Sequence, residues 1–251
     1  MSAFMLALLL NLFGGDPSED LPRSISLSEP RTEASKWVFD VVPYGWLASV
    51  TGSVQIGPLS ATSIAKFSDL LHDLKFAAAV HGEAWHDDKL GILVDTFWVK
   101  TEVDATTATG GTASLTSWLG LNEIDLAVRA RVDVVRFDFL AGVRWVYVSN
   151  EIDTTAGPGA SKHHNYLDPL FGVRFSGDPW DWLELWFRID AGGFGIGTDL
   201  TGSITAGANF RVSNVIGIVA AYKALGVKIE ENNHSVDLRF HGPVIGIDFR
   251  F

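Results

Sequence analysis

The chain contains no cysteine. That excludes a disulfide framework, a Cys-ligated zinc site and a thiol nucleophile. Long apolar runs are missing as well. After Met1–Phe13, no stretch approaches the roughly 20 apolar residues that a membrane-spanning helix needs, so a helical membrane bundle is excluded. Basic charge is scarce: 19 Lys and Arg stand against 30 Asp and Glu, a net charge of −11. A general nucleic-acid binder carries a basic face, which this composition does not supply. No serine sits in a G-x-S-x-G turn, so the sequence gives no ground for a Ser-His-Asp hydrolase.

What is present is oily and aromatic. Of 251 residues, 47% are apolar and 20% charged, with 25 Gly, 9 Trp and 16 Phe. Mean hydropathy is +0.19. A chain this apolar without a long apolar run is explained by alternating β-strands, in which each apolar residue is followed by a polar one. The run Met1–Phe13 (MSAFMLALLLNLF) has the length of a signal peptide, although no Lys or Arg precedes it and no A-x-A site follows. Residues 1–15 are therefore expected to be signal-derived. Residues 16–35, polar and carrying Pro17, Pro22 and Pro30, read as a flexible periplasmic leader. Residues 36–251 form the barrel domain.

Within that domain the two-residue period dominates. Leu183, Leu185, Phe187, Ile189 and Ala191 fall on one face, and Glu184, Arg188 and Asp190 on the other with Trp182 and Trp186. Successive strand side chains point to opposite faces, so one face is oily and the other charged. Phe137–Tyr147, Ile124–Val132, Leu167–Phe175, Ile204–Phe210 and Ile245–Phe251 repeat the pattern. About ten such segments are expected, with eight or twelve possible. Their connections alternate between short and long, as in an antiparallel up-and-down transmembrane barrel with periplasmic turns and outer loops. Two places break step. Val236, Leu238 and Phe240 are out of phase with Ile245–Phe251, which predicts a β-bulge at His241-Gly242-Pro243; Lys223 and Val227 raise the same question one strand earlier. One helix is expected over residues 63–75, in the first outer loop.

A soluble lipocalin-like barrel or sandwich would also alternate. Against it stand aromatics at strand ends on the apolar face: Trp37, Phe39, Trp145, Tyr147, Phe175, Phe249 and Phe251. Such residues form the girdles of a membrane barrel. Outer-membrane lipid is the expected partner, with Phe251, ending an alternating strand, as the signal to the assembly machinery. Integral insertion in the cell outer membrane with periplasmic termini follows.

The sequence resembles a widespread group of Gram-negative outer-membrane barrel proteins that mostly lack an assigned function. The resemblance rests on Trp37-x-Phe39 with Pro43-Tyr44-x-Trp46, Phe67-Ser68-Asp69-Leu70-Leu71, Asp168-Pro169-x-x-Gly172-x-Arg174, Ala191–Thr201 (AGGFGIGTDLT) and His241-Gly242-Pro243-x-x-Gly246-x-x-Phe249-Arg250-Phe251. It implies fold and location and no reaction.

A barrel of about ten strands is narrow, and unpaired buried charge is costly. Asp138, Arg144, Asp168, Arg174, Glu184, Arg188, Asp190, Arg211, Asp248 and Arg250 are expected to face the lumen and pair there, packed with Tyr44, Trp182 and Trp186. The expected role is structural or surface-interacting, with a filled lumen. The alternatives are a narrow channel for small solutes and a hydrolase at the rim, using His163 or His164 with Asp153, or His234 with Glu230 or Glu231. His81 and Glu83 share a face without enough further ligands for a metal. No cofactor or metal site is expected. Gly192–Gly197 lacks a following Lys-Ser/Thr and a helix, so it reads as a sharp turn rather than a phosphate loop.

Overall fold

Where the alternation runs unbroken the chain extends, and among its described residues the computed structural model contains twelve strands and one short helix. It describes residues 37–56, 59–106, 112–154, 159–231 and 234–251. The expected signal-derived segment and leader lie outside the described residues. The strands are β1 (Trp37–Trp46), β2 (Ser49–Ile56), β3 (Leu59–Ala65), β4 (Leu74–His86), β5 (Leu90–Thr106), β6 (Thr112–Val132), β7 (Val135–Thr154), β8 (Ala160–Trp180), β9 (Leu183–Gly193), β10 (Leu200–Arg211), β11 (Ile216–Glu231) and β12 (His234–Arg250). The helix, α1, covers Phe67–His72.

The result is a closed antiparallel barrel of ten staves. β1 and β2 lie end to end as the first stave, pairing with different halves of β12. β4 to β12 follow in sequence order. β3 is additional, folding back on β2 as a hairpin arm. The helix is therefore shorter than the expected 63–75. Residues up to Ala65 find a strand partner in β2, which leaves only the turn of chain after Lys66 to coil.

The register sets the tilt. Followed from stave to stave, the rungs lead from Asp40 through Glu83, Leu93, Asp125, Gly142, Leu170, Gly192, Thr201, Val227 and Leu238 to Gly52. The path returns to the first stave twelve residues higher than it began. A stagger of this size goes with strands inclined to the barrel axis. One end of the barrel carries the short turns. In the one after β4, Asp87 and Asp88 both have φ of 52° and the Lys89 N–H bonds the His86 carbonyl, the left-handed pair of a type I′ turn that matches strand twist.

Each long stave changes character along its length. On β7 the outward residues are Phe137, Phe139, Ala141, Val143, Trp145 and Tyr147, then Ser149, Glu151 and Asp153. Its inward residues run Arg136, Asp138, Leu140, Gly142 and Arg144, then Val146 and Val148; Leu140 packs with Trp85, Leu93 and Ala127 in a small apolar cluster among the charges. On β12 the outward set runs from Phe249, Ile247 and Ile245 to Arg239 and Asp237, and the inward set from Arg250 and Asp248 to Val244, Phe240 and Leu238. The inner face turns apolar close to where the outer face turns polar. This overturns the expected bulge at His241–Pro243. β12 keeps step with both neighbours throughout, and Val236, Leu238 and Phe240 share the inward parity of Asp248. What looked like a change of phase is a change of solvent: hydrocarbon outside and charge inside at the turn end, then water outside and an apolar core inside at the loop end. Lys223 and Val227 of β11 follow the same rule on one face.

The outward apolar band is bounded by rings. At the turn end stand Trp37 stacked near Phe39, Phe137 with Phe175, and Trp180 with Trp182 and Phe210. At the loop end, Trp98, Trp145 and Tyr147 contact one another, and Phe76 contacts Trp118. Phe249 and Phe251 also lie on the outward face at the turn end. Trp182, expected in the lumen, belongs instead to the outer girdle and is half exposed. The β8–β9 hairpin turns just there, between Trp180 and Leu183, which frees its side chain from the strand's alternation.

Candidate functional site in the barrel lumen

The inward parity of β6 to β9 delivers alternating signs of charge to a common space, and those charges pair. Arg144 contacts Glu123 at 2.7 Å and Asp190 at 2.6 Å. Arg188 reaches Glu123 at 2.9 Å, Asp125 at 3.0 Å and Asp190 at 3.0 Å. These five groups come from three staves and are all but buried. Nearer the turn end, Arg174 links Glu83 to Asp138, the latter at 2.9 Å. Arg129 joins Asp138 at 2.6 Å and lies over the Trp85 ring at 3.6 Å. Arg136 and Arg211 both bind Asp178 and Glu184. Arg250 meets Asp40 at 2.6 Å. Isolated charges in such a space would cost several kcal/mol each, so the interlocking arrangement is what makes the lumen tolerable.

Two of the expected lumen residues sit apart from this network. Asp168 is fully buried, but it accepts hydrogen bonds from the Thr198 backbone N–H at 2.7 Å and the Thr198 hydroxyl at 2.8 Å. It thereby pins the glycine-rich β9–β10 turn, where Gly193 has φ 88° and Gly195 φ 76°. Asp248 accepts from Asn209 Nδ2 at 2.6 Å.

A histidine of β4 also enters the charged layer. His81 stands between Glu83, at 2.9 Å from Nε2, and Asp95, at 3.3 Å from Nδ1. Asp95 also accepts from the Tyr44 hydroxyl at 2.8 Å and meets the Lys223 ammonium at 3.5 Å. Both ring nitrogens of His81 face acceptors, so bonding both takes a proton on each. That leaves no lone pair for general-base work. Its sequence spacing from Glu83 was visible; the approach of Asp95, Tyr44 and Lys223 from three other staves was not.

The rim candidates do not assemble. His163 and His164 pair in register with Ser149 and Val148 of β7, well short of Asp153. His164 instead stacks on Tyr166. Glu230 is bound by Lys228 at 2.5 Å. The side chains of Glu231 and His234 lie outside the described residues. Among the described residues no group of His, Asp and Glu is arranged to hold a metal ion.

Below the ion pairs and among them lies a cavity of about 430 Å³. Charged groups from nearly every stave line it, among them Asp40, Glu83, Asp95, Glu123, Lys223 and Asp248, and Val38, Val42, Val219, Ala221 and Val244 with Tyr44 and Trp186 stand between them. Its ceiling is apolar. Trp46 meets Phe97 edge-on at 5.3 Å and Phe240 at 6.2 Å. Around them pack Leu121 and Val146 from one side of the barrel and Leu225, Val227 and Val244 from the other. The loop-end walls are thus drawn together across the axis. The Lys223 ammonium lies 5.3 Å from the Trp46 ring, marking the boundary between ceiling and charged layer.

No family model matches the chain, and no curated protein matches it. Solved structures do. The outer-membrane protease OmpT from Escherichia coli aligns over 88% of this chain and 98% of its own, at 12% identity and a TM-score of 0.50. The fold is that of an outer-membrane β-barrel. Ail, the attachment invasion locus protein of Yersinia pestis, aligns over 85% of this chain and 99% of its own, at 8% identity and a TM-score of 0.38. Neisserial surface protein A aligns over 85% and 97%, at 13% identity and a TM-score of 0.34. The outer-membrane barrel fold accounts for the outward apolar band and its two rings of aromatics.

Proposed function

We propose that this chain is an outer-membrane barrel closed along its axis. In this reading the turn end faces the periplasm, and the protein acts through the walls it raises beyond the bilayer. The supporting observation is the reversal of polarity on the long staves. The inner face becomes apolar near the level where the outer band of hydrocarbon-facing residues ends, and Trp46, Phe97 and Phe240 fill the axis there. A water-filled channel needs a polar lining along its whole length. Here the polar lining stops beneath an apolar ceiling, and the charges below it are spent on one another.

The experiment is single-channel recording of the refolded protein in a planar bilayer, with insertion verified by heat-modified migration of protein recovered from the same membranes. The expected result is no salt-dependent conductance. A steady conductance that scales with salt would replace this reading with that of a narrow channel.

A further inference from the structure

The ladder that closes the barrel through β1 has a gap above it, on the loop-end half of the first stave. Rungs join β1 to β4 from Trp37↔His86 up to Pro43↔Val80, and there they stop. Beyond that point β2 pairs with β12 and β3. β4 from Leu74 to Ala79 pairs with β5 alone. Among the described residues no ladder joins β3 to β4. Pro43 brings no N–H to carry the ladder further. The β4 edge along this seam is Ala77-Ala78-Ala79, three of the smallest side chains available. Ala77 has the inward parity of Ala79 and His81 and is nevertheless exposed, as an open wall beside it requires.

Three further observations meet at this seam. The luminal cavity reaches it, since Val42 and His81 line the cavity and form the rung directly below Pro43↔Val80. The axial way out is filled by Trp46 and its neighbours. The seam also opens close to the loop-end girdle, where Phe76 of the same strand touches Trp118. The chemistry of the cavity is the last element. Its charged groups pair with one another, and the apolar contacts open to a guest between them come from Val42, Val219, Val244, Tyr44 and Trp186.

We propose that the seam between β3 and β4 is a side portal, through which a small and mainly apolar molecule passes between the outer edge of the bilayer and the luminal cavity. The inference rests on the membrane placement and axial closure proposed above. The cavity volume, about 430 Å³, lies within the range that holds a small organic molecule. The unpaired backbone edges of the seam lie at the interface, where water can satisfy them.

The absence of cysteine makes the test direct. Two single-cysteine variants are compared in phosphatidylcholine vesicles: Ala79→Cys on the seam, and Leu121→Cys, similarly buried but behind complete ladders. Each is treated with N-phenylmaleimide, which partitions into membranes, and with a charged, membrane-impermeant thiosulfonate. The portal predicts that Ala79→Cys reacts with the maleimide at least about tenfold faster than Leu121→Cys, because only the first has a way in that needs no local unfolding. It predicts that the charged reagent labels neither. Equal maleimide rates would overturn the portal and leave axial closure standing. Labelling of Leu121→Cys by the charged reagent would overturn axial closure itself. Labelling of Ala79→Cys alone by the charged reagent would make the seam an aqueous slot and overturn the apolar guest. As a second readout, N-phenyl-1-naphthylamine fluorescence should rise saturably with refolded protein and lose most of that rise in a folded Ala79→Trp variant. An unchanged rise in that variant would overturn the proposal.

Discussion

Arg144 of β7 and Asp190 of β9 meet at 2.6 Å inside the barrel, and neither side chain retains any exposed surface. They are not neighbours in the ladder; β8 lies between their staves. The same guanidinium binds Glu123 of β6, so a single cation ties three staves together from within. Arg250 and Asp40 form the corresponding pair at the open turn end, where Arg250 is about a third exposed. The two pairs therefore differ in what their loss should cost. Arg144→Met strands Glu123 and Asp190 in a buried space and is expected to destabilise the barrel by about 3–5 kcal/mol. Arg250→Met removes a partner that is itself partly exposed, although Asp40 keeps only 14% exposure, and should cost less, about 1–2 kcal/mol. Urea unfolding in vesicles, followed by tryptophan fluorescence, measures both, and equal losses would contradict the ranking.

Reversal of polarity along the staves carries its own prediction. Leu126 of β6 faces outward within the apolar band and is two-thirds exposed on the isolated chain. Ser149 of β7 also faces outward, but beyond the Trp145 and Tyr147 girdle. Leu126→Arg should destabilise by about 2–4 kcal/mol, and Ser149→Arg by about 0–1 kcal/mol, because the cost of charge on the lipid face depends on depth. Heat-modified migration of both refolded variants gives a first reading and urea titration the difference. A stable Leu126→Arg variant would remove the outward band from the membrane.

The fold was legible where one period meant one environment. Arg188 and Asp190 alternate with Phe187 and Ile189, and that pattern alone placed both charges in the lumen and both apolar residues outside. It misled at Val236, Leu238 and Phe240, because the inference assumed that apolar residues always face lipid. In this chain a strand is longer than the bilayer is thick, so the same parity can be charged in one half and apolar in the other. The ion-pair residues could be named from their strands, but their partners could not. Arg144 finds Asp190 46 positions away in sequence, by a closure that only the stagger of the barrel determines. The cavity, with Tyr44, His81, Asp95 and Lys223 converging from four staves, has no local signal. The seam beside β4 was hidden for another reason: the first outer loop reads as a helix over 63–75, whereas Leu59–Ala65 pair with β2 as a strand, and that pairing takes the free edge of β2 away from β4.

Glycines test the packing at two positions of unlike surroundings. A Cβ on Gly142 would lie 2.1 Å from the Ile124 carbonyl oxygen and 2.3 Å from Asp125 Oδ1. A Cβ on Gly226 would meet nothing within 4 Å. Gly142→Ala must therefore push β7 away from β6 beneath the Arg188–Asp125 contact, at a cost of about 1–3 kcal/mol. Gly226→Ala, at an ordinary strand position, should be neutral or slightly stabilising. The comparison is made by urea unfolding of the two refolded variants, and a harmless Gly142→Ala would mean that β6 and β7 sit further apart than they do here.

The ceiling is the last element to test, because it decides whether the lumen leads anywhere along its axis. Trp46 touches Phe97 on one side of the barrel and Phe240 on the other, and its Nε1 finds no hydrogen-bond partner. Its place there comes from shape and apolar area, not from a polar anchor. Removing both it and Phe240 takes away the two largest rings on that side and leaves a gap above the Lys223 ammonium. The double variant Trp46→Ala/Phe240→Ala should lose about 6–10 kcal/mol if the costs add, a loss large enough that the singles must be examined alongside it. Trp46→Ala alone should lose about 3–5 kcal/mol and still insert. In a planar bilayer it is expected to pass salt-dependent current where the unaltered protein passes none, because water can then bridge the charged layer and the loop side. A folded Trp46→Ala variant that stays silent would show that Phe97, Leu121, Val146 and Phe240 close the axis without the indole, and would move the decisive contact to the facing walls.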